Sequence, residues 1–278
     1  MEFTKFIWDG HDYIQYAWDE WLADPEGLLA VAEYGGHCVG LAKISLSAPG
    51  QWWLQGLRVD PKFQGLKIGS NIHRYVDGWW LENGDGVVRL MTSSKRVKVH
   101  HLCEKLGYTK ILEVKELKAK QLDEVCDGFK PVQKDEIPAA LKAALDSPIL
   151  ALGRGLFDRG WDALQPTNGI LTTIQQQGMA FWWRGGEGLL LAWDDDNEDG
   201  KVLGLGLPAC SLASLPGLLL DARRLAAQQG CVGVFWIAPL KPEILAAAEA
   251  AGYLRHREHS GYVYEKRHPL SDTSPTRT

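Results

Sequence analysis

Leu57-Arg58-Val59-Asp60-Pro61-Lys62-Phe63-Gln64-Gly65-Leu66-Lys67-Ile68-Gly69-Ser70 reads as a strand, a short turn rich in backbone donors, and the start of a helix. The apolar run 52–59 is strand-like, and Asp60-Pro61 closes it because proline brings no N–H to a continuing ladder. Over 66–82 the apolar positions Ile68, Ile72, Tyr75, Val76, Trp79 and Trp80 recur at the spacing of an amphipathic helix, which ends near Asn83-Gly84. Such a turn suits an anion. The first N–H groups of a helix lack intrahelical acceptors, the helix dipole is positive there, and glycine lets a ligand approach the backbone. A glycine-bearing turn before a helix is more often only a turn. This one is neither a Walker loop nor a G-x-G-x-x-G fingerprint, so its surroundings must decide.

Working outward, residues 12–22 have helical spacing and stop at Asp24-Pro25-Glu26-Gly27. Apolar runs 28–34 and 38–46 flank Gly35-Gly36, a two-glycine turn that favours an antiparallel hairpin. Downstream, 87–92 reads as a strand, 97–106 as a helix closed by Gly107, and 108–117 as a further β-rich stretch. The order αβββαβαβ predicts a mixed α/β sheet. Residues 123–134 are polar and without period, which predicts a linker stiffened by Pro131. Beyond it the pattern predicts helices at 137–145 and within 161–176, and strands at 179–183, 188–193 and 202–207. A helix at 215–229, a buried strand at 232–238, a helix at 242–251 and a strand at 262–266 follow. The second half repeats the first in outline, with Glu104-Lys105-Leu106-Gly107-Tyr108 matched by Glu249-Ala250-Ala251-Gly252-Tyr253. The expected organisation is a first domain over 1–120, a linker over 121–134, a second domain over 135–268 and a disordered tail over 269–278.

Composition narrows the function. A net charge of −5 without a long basic run leaves no electrostatic footprint for nucleic acid. No window approaches the ~18 apolar residues of a membrane span, and the N-terminus lacks a signal peptide's order, so a cytoplasmic location is expected. Cys38, Cys103, Cys126, Cys210 and Cys231 are scattered and without C-x-x-C spacing, which reads as reduced thiols rather than disulfides or a zinc site. The acidic run Asp194-Asp195-Asp196-Asn197-Glu198-Asp199-Gly200 lacks EF-hand spacing and its closing glutamate; a hairpin turn is expected there, and no metal. The pairs Trp52-Trp53, Trp79-Trp80 and Trp182-Trp183 read first as core and second as the lining of a ligand cleft.

In this setting Gln64-Gly65-Leu66-Lys67-Ile68-Gly69 resembles the cofactor motif of the GNAT N-acetyltransferase superfamily, Gln/Arg-x-x-Gly-x-Gly/Ala after a strand. Cys103-Glu104-Lys105-Leu106-Gly107-Tyr108 is similar to the family's later Tyr-Glu-Lys-x-Gly-Phe. The resemblance covers about residues 12–118. It implies two GNAT-like mixed sheets flanked by helices, an α/β (α+β) fold, the second lacking the phosphate loop and degenerate. It also implies an acetyl-CoA-dependent acyltransferase that moves an acetyl group directly to an amine in a ternary complex. Leu57, Arg58 and Val59 would pair with the pantetheine amides, and Gln64, Gly65, Leu66, Lys67, Ile68, Gly69 and Ser70 would hold the diphosphate. Lys67 replaces the family's middle glycine, which either costs a close backbone contact or adds an ammonium that reaches the phosphates.

The catalytic candidates follow from the same resemblance. Cys103 stands where many members place a tyrosine that protonates the departing thiolate; a thiol has a suitable reference pKa, and a buried packing cysteine is the competing reading. Gln55 stands where related enzymes often put a glutamate, and an amide cannot accept the proton an ammonium must lose. Glu33 on the hairpin and His100 or His101 at the later helix are the remaining bases that the topology offers, each weighed against a solvated surface role. The run Trp53-Leu54-Gln55-Gly56-Leu57-Arg58-Val59-Asp60-Pro61 looks like the branch related to histidine N-acetyltransferases, which suggests an amino-acid acceptor. The expected partner is a small-molecule amine, with the chain a monomer or homodimer. The rivals are an acyl-CoA-binding sensor that has lost turnover and a peptide or protein N-acetyltransferase, which needs an open groove.

Overall fold

A computed structural model describes residues 12–197 and 200–269. In chain order the elements are α1 (Ile14–Ala23), β1 (Leu28–Tyr34), β2 (His37–Ala48), β3 (Gln51–Val59), α2 (Ile68–Asn83), β4 (Val87–Ser93), α3 (Val97–Lys105) and β5 (Thr109–Lys120). There follow β6 (Phe129–Pro131), α4 (Ile137–Leu145), α5 (Pro148–Leu152), β7 (Phe157–Arg159), β8 (Asp162–Leu164), α6 (Asn168–Gln176), β9 (Ala180–Trp183) and β10 (Gly188–Asn197). The chain closes with β11 (Gly200–Ala209), α7 (Leu215–Gln228), β12 (Gly233–Pro239), α8 (Pro242–Ala250), β13 (Leu254–Arg255) and β14 (Gly261–Arg267). They form two compact units that do not follow chain order. Of the described residues, 12–90, 97–109 and 264–269 make the first, and 91–96, 110–197 and 200–263 the second.

In the first unit the strands lie in the order β1-β2-β3-β4-β14. β1 and β2 form the hairpin expected around Gly35-Gly36, β2 and β3 are antiparallel, and β3 and β4 are parallel with α2 as their connection. α2 buries Ile72, His73, Val76, Asp77 and Trp80, the positions that helical spacing puts on one face, and packs on β1, β2 and β3. Residues 264–269 complete this unit. Lys266 Nζ donates to Asp77 Oδ2 at 2.7 Å, Arg89 Nε to Glu265 Oε2 at 2.8 Å, and the His268 backbone N–H to the Gly86 carbonyl at 2.8 Å.

In the second unit the order is β5-β12-β11-β10-β9-β6, with β11 and β12 parallel and β13 paired to β5. β12 is buried along its whole length, as expected of a central strand, and α7 covers it with Leu215, Leu218, Leu219, Ala222, Leu225 and Ala226. The chain therefore has the mixed α/β architecture expected from its pattern. Local differences have local causes. Residues 157–164, partly expected as helix, form the β7–β8 hairpin, because Gly160 and Trp161 take positive φ (63° and 79°) and turn the chain back. Three residues of the polar stretch 123–134 pair as β6 against β9. The acidic run ends a hairpin in which Asn197 pairs with Gly200, while Glu198 and Asp199 lie outside the described residues. The tail expected over 269–278 lies outside them as well, except for residue 269. No described helix is long and apolar enough to cross a membrane.

Candidate functional site

β3 pairs with β4 only through Gln51, Trp52 and Trp53, opposite Val87, Val88 and Arg89. It then runs on to Val59 against β2 alone, so one edge of Leu54–Val59 has no partner strand among the described residues. The divergence coincides with a bulge. Between Lys43↔Gln55 and Leu41↔Arg58 the strand carries an extra residue, and Gly56 takes φ +68°. A Cβ on Gly56 would lie 2.5 Å from Cη2 of Trp21, so only glycine lets α1 lie this close to the bulge. Asp12, buried, receives Arg58 Nε at 3.0 Å and Nη2 at 3.1 Å, while Arg58 Nη1 donates to the Leu57 carbonyl at 3.3 Å.

The strand stops where the Asp60 N–H donates to the Val39 carbonyl at 2.9 Å, and Asp60 Oδ1 accepts the Lys62 N–H at 2.9 Å to cap a short 3₁₀ turn. The chain then opens. Gln64, Gly65, Leu66 and Lys67 are exposed, Gly65 has φ +88° with nothing within 4 Å of its would-be Cβ, and Lys67 precedes α2 at φ 63°. The first backbone bond of α2 is Asn71 N–H to the Lys67 carbonyl at 2.9 Å. Among the described residues, the N–H groups from Gly65 to Ser70 have no acceptor within the chain. A free strand edge thus leads into a row of free donors at the positive end of a long helix, an arrangement that accepts amides and then phosphates. Lysine in the left-handed region costs about 1 kcal/mol, so the position demands the backbone geometry glycine would give and supplies a cation as well.

The candidate acid and bases lie elsewhere in the first unit. Cys103 on α3 is fully buried and burial pushes its thiol up to about 12. These are the surroundings of the buried packing cysteine that was the competing reading. Glu33 is exposed near the β1–β2 turn. Gln55 is half-buried opposite Lys43, whose buried ammonium pairs with Asp24 at 2.6 Å. His100 is buried with Nδ1 3.1 Å from the Tyr264 hydroxyl and its ring stacked on that phenol, while His101 is exposed beside Glu104. Glu33 stands on β1, Gln55 on β3, and Cys103 and His100 both on α3.

What sequence reading missed is a polar cluster behind the loop. Tyr108 Oη donates to Asp77 Oδ1 at 3.1 Å, Lys266 Nζ reaches the other oxygen, and the His73 ring meets the Tyr108 ring at 5.5 Å. Burial lowers His73 to about 4, Asp77 raising it less than burial depresses it and Lys266 adding to the depression; neither ring nitrogen has a partner. The signal was present only as His73 and Asp77 on the apolar face of a helical pattern.

Residues 1–108 match the model of the Acetyltransferase (GNAT) family. Over these residues, less than half of the chain, the protein is similar to that family. The candidate site, the β3–loop–α2 edge described above, lies within the matched residues. Solved structures of the GNAT type share its fold over nearly the whole length. A GCN5-related N-acetyltransferase from Sphaerobacter thermophilus aligns with TM-score 0.61 and 14% identity over 93% of this chain and 86% of its own. A GNAT-family acetyltransferase from Colwellia psychrerythraea gives 0.53 and 13% over 92% and 90%. A tandem GNAT protein from the clavulanic acid biosynthesis pathway gives 0.54 and 12% over 88% and 84%. No curated protein matches the chain by sequence.

Proposed function

We propose that the first unit binds acetyl-CoA along Leu57, Arg58 and Val59 and on Gln64–Ser70, and that the chain moves the acetyl group to the amine of a small molecule. The observation that carries this is the continuity of the unpaired β3 edge with the free N–H groups at the start of α2. Acetyl-CoA supplies an activated thioester; the chain supplies position. Backbone donors of β3 orient the amide-bearing arm and polarise a carbonyl set against them, contributions that often exceed those of a single acid or base. The Lys67 ammonium adds a point charge for phosphate. With an amide at Gln55, which cannot take a proton, the acceptor's proton leaves through water or solvent. An amino acid is the acceptor class suggested by the likeness of residues 53–61 to the histidine N-acetyltransferase branch. We place the protein in the cytoplasm, in keeping with five cysteines of which none is in a disulfide among the described residues.

The test is thiol release from acetyl-CoA across amino acids, polyamines, aminosugars and peptides, with and without Gly65→Trp. Release with one class of small amine, lost in the variant, is the expected result. Saturable acetyl-CoA binding without release from any acceptor would replace the enzyme with a sensor. Release only with peptides would replace the small-molecule acceptor.

A further inference from the structure

The loop between β13 and β14 is pinned at both ends. The His256 N–H donates to the Glu116 carbonyl at 3.0 Å, the Ser94 N–H donates to the Ser260 carbonyl at 2.9 Å, and Ser260 Oγ donates to Glu113 Oε1 at 2.6 Å. Beneath the loop Lys115, 4% exposed, sends its ammonium to three successive carbonyls, those of Arg257, of Glu258 at 2.9 Å and of His259 at 3.1 Å. An ammonium has three protons to place, and each has an acceptor here, as burial of the charge requires. In a planar trans peptide the N–H lies opposite the C=O, so carbonyls turned in to Lys115 turn the N–H groups of Glu258 and His259 outward. Neither N–H has an acceptor among the described residues.

The charges around this loop are unevenly matched. Arg257 Nε pairs with Glu116 Oε2 at 3.0 Å, but Lys95, Lys118 and Arg255, all exposed, form no ion pair among the described residues. Their field is felt nearby. Burial lowers the pKa of His259, and Lys95, Arg257 and Lys115 lower it further against the opposing Glu258. Burial lowers His256 too, with Lys118 and Arg257 adding to the fall. Lys115 is itself lowered, by burial and then by Arg255, more than Glu116 and Glu258 raise it. The loop, β5 and the stretch after β4 thus carry a surplus of positive charge, in a chain whose net charge is −5. Lys95, Lys115, Lys118, Arg255 and Arg257 outnumber Glu113, Glu116 and Glu258 by more than one carboxylate would neutralise. A phosphate dianion offsets that surplus and accepts from guanidinium, ammonium and backbone N–H alike.

We propose that the 256–260 loop of the second unit, with Lys95 and Arg255, is a binding site for the phosphate group of a small phosphomonoester. The site stands without the acetyl-transfer reading, since every residue in it belongs to the second unit.

The probes are inorganic phosphate and glycerol 3-phosphate, titrated calorimetrically into the full chain at low salt, with acetate as the monoanionic counterpart. Saturable binding of both phosphates, weaker binding of acetate, and phosphate binding about tenfold weaker or more in the Lys95→Ala/Arg255→Ala double variant are expected. Both side chains are exposed and without an ion pair, so the double variant keeps the fold. Gly65→Trp, in the other unit, should bind the phosphates as the parent does. Binding lost in Gly65→Trp and kept in the double variant would put the anion at the start of α2, overturning this proposal while supporting the acetyl-CoA reading. No phosphate binding by the parent, or equal affinity for acetate, also overturns it. So does sedimentation with phosphatidic acid vesicles that the double variant abolishes, if glycerol 3-phosphate does not bind, because the phosphate would then belong to a membrane surface.

Discussion

The two units solve the same problem in opposite ways. Each has a strand that leaves its parallel neighbour, a one-residue bulge on a glycine just beyond that point, and a loop into a long helix. In the first unit the bulge is Gly56, the strand's edge beyond Trp53 is unpartnered, and the loop presents free N–H groups around an open Gly65. In the second the bulge is Gly206, and a Cβ there would lie 2.6 Å from the Asp158 carbonyl oxygen because β7 lies against the strand. Its loop also consumes its own donors. Ser211 Oγ accepts the Ser214 N–H at 3.1 Å and Pro216 contributes no N–H at all. An anion has little left to bind. The same framework thus gives a ligand edge when backbone groups are left over and a packed wall when the chain uses them itself.

The comparison can be broken by substitution. Gly206→Val should destabilise by about 3 kcal/mol in urea unfolding, because the added methyls meet backbone that cannot move aside. Gly65→Val should cost only about 1 kcal/mol, since open space surrounds it and only the positive φ is strained. Equal losses would mean that the two bulge-and-loop regions are packed alike.

The helices differ too, α2 burying His73 and Asp77 where α7 buries mostly leucine and alanine. His73 stays neutral in the folded chain down to about pH 4, whereas unfolded it takes a proton near 6.5. Its contribution is therefore complete above pH 6.5 and is lost as pH falls to about 4, some ~3 kcal/mol over that window. Unfolding free energies of His73→Phe measured across pH 7 to 4 should fall less steeply than those of the parent; parallel curves would remove His73 as the cause. Lys266→Met leaves Asp77 with Tyr108 alone and should cost about 2 kcal/mol, reduced from the fully buried case because Lys266 is partly exposed. Smallest is Lys67→Gly. It should stabilise the fold by about 1 kcal/mol while weakening acetyl-CoA binding a few-fold, roughly 1 kcal/mol in the opposite direction. Unchanged binding would mean that the ammonium does not reach phosphate.

Much of the first unit was legible because its signals are local. The proline after Asp60, the glycines at 65 and 69 and the apolar spacing from Ile68 to Trp80 act through neighbouring backbone, and the strand, loop and helix stand where they predict. Spacing places Cys103 on a helix without saying which face is sealed, and only the structure shows that it is buried. The β7–β8 hairpin escaped notice because its turn relies on Trp161, a residue that rarely takes positive φ and so carries no turn signature.

By itself the sequence determined the order of helices and strands and the glycine-bearing loop before α2, since both depend on residues a few positions apart. Only the tertiary structure decided which divergence of strands stays open and which one β7 packs across. It alone also brought Lys266 to Asp77. Those outcomes depend on burial and on contacts between residues far apart in the chain, and no local pattern encodes them.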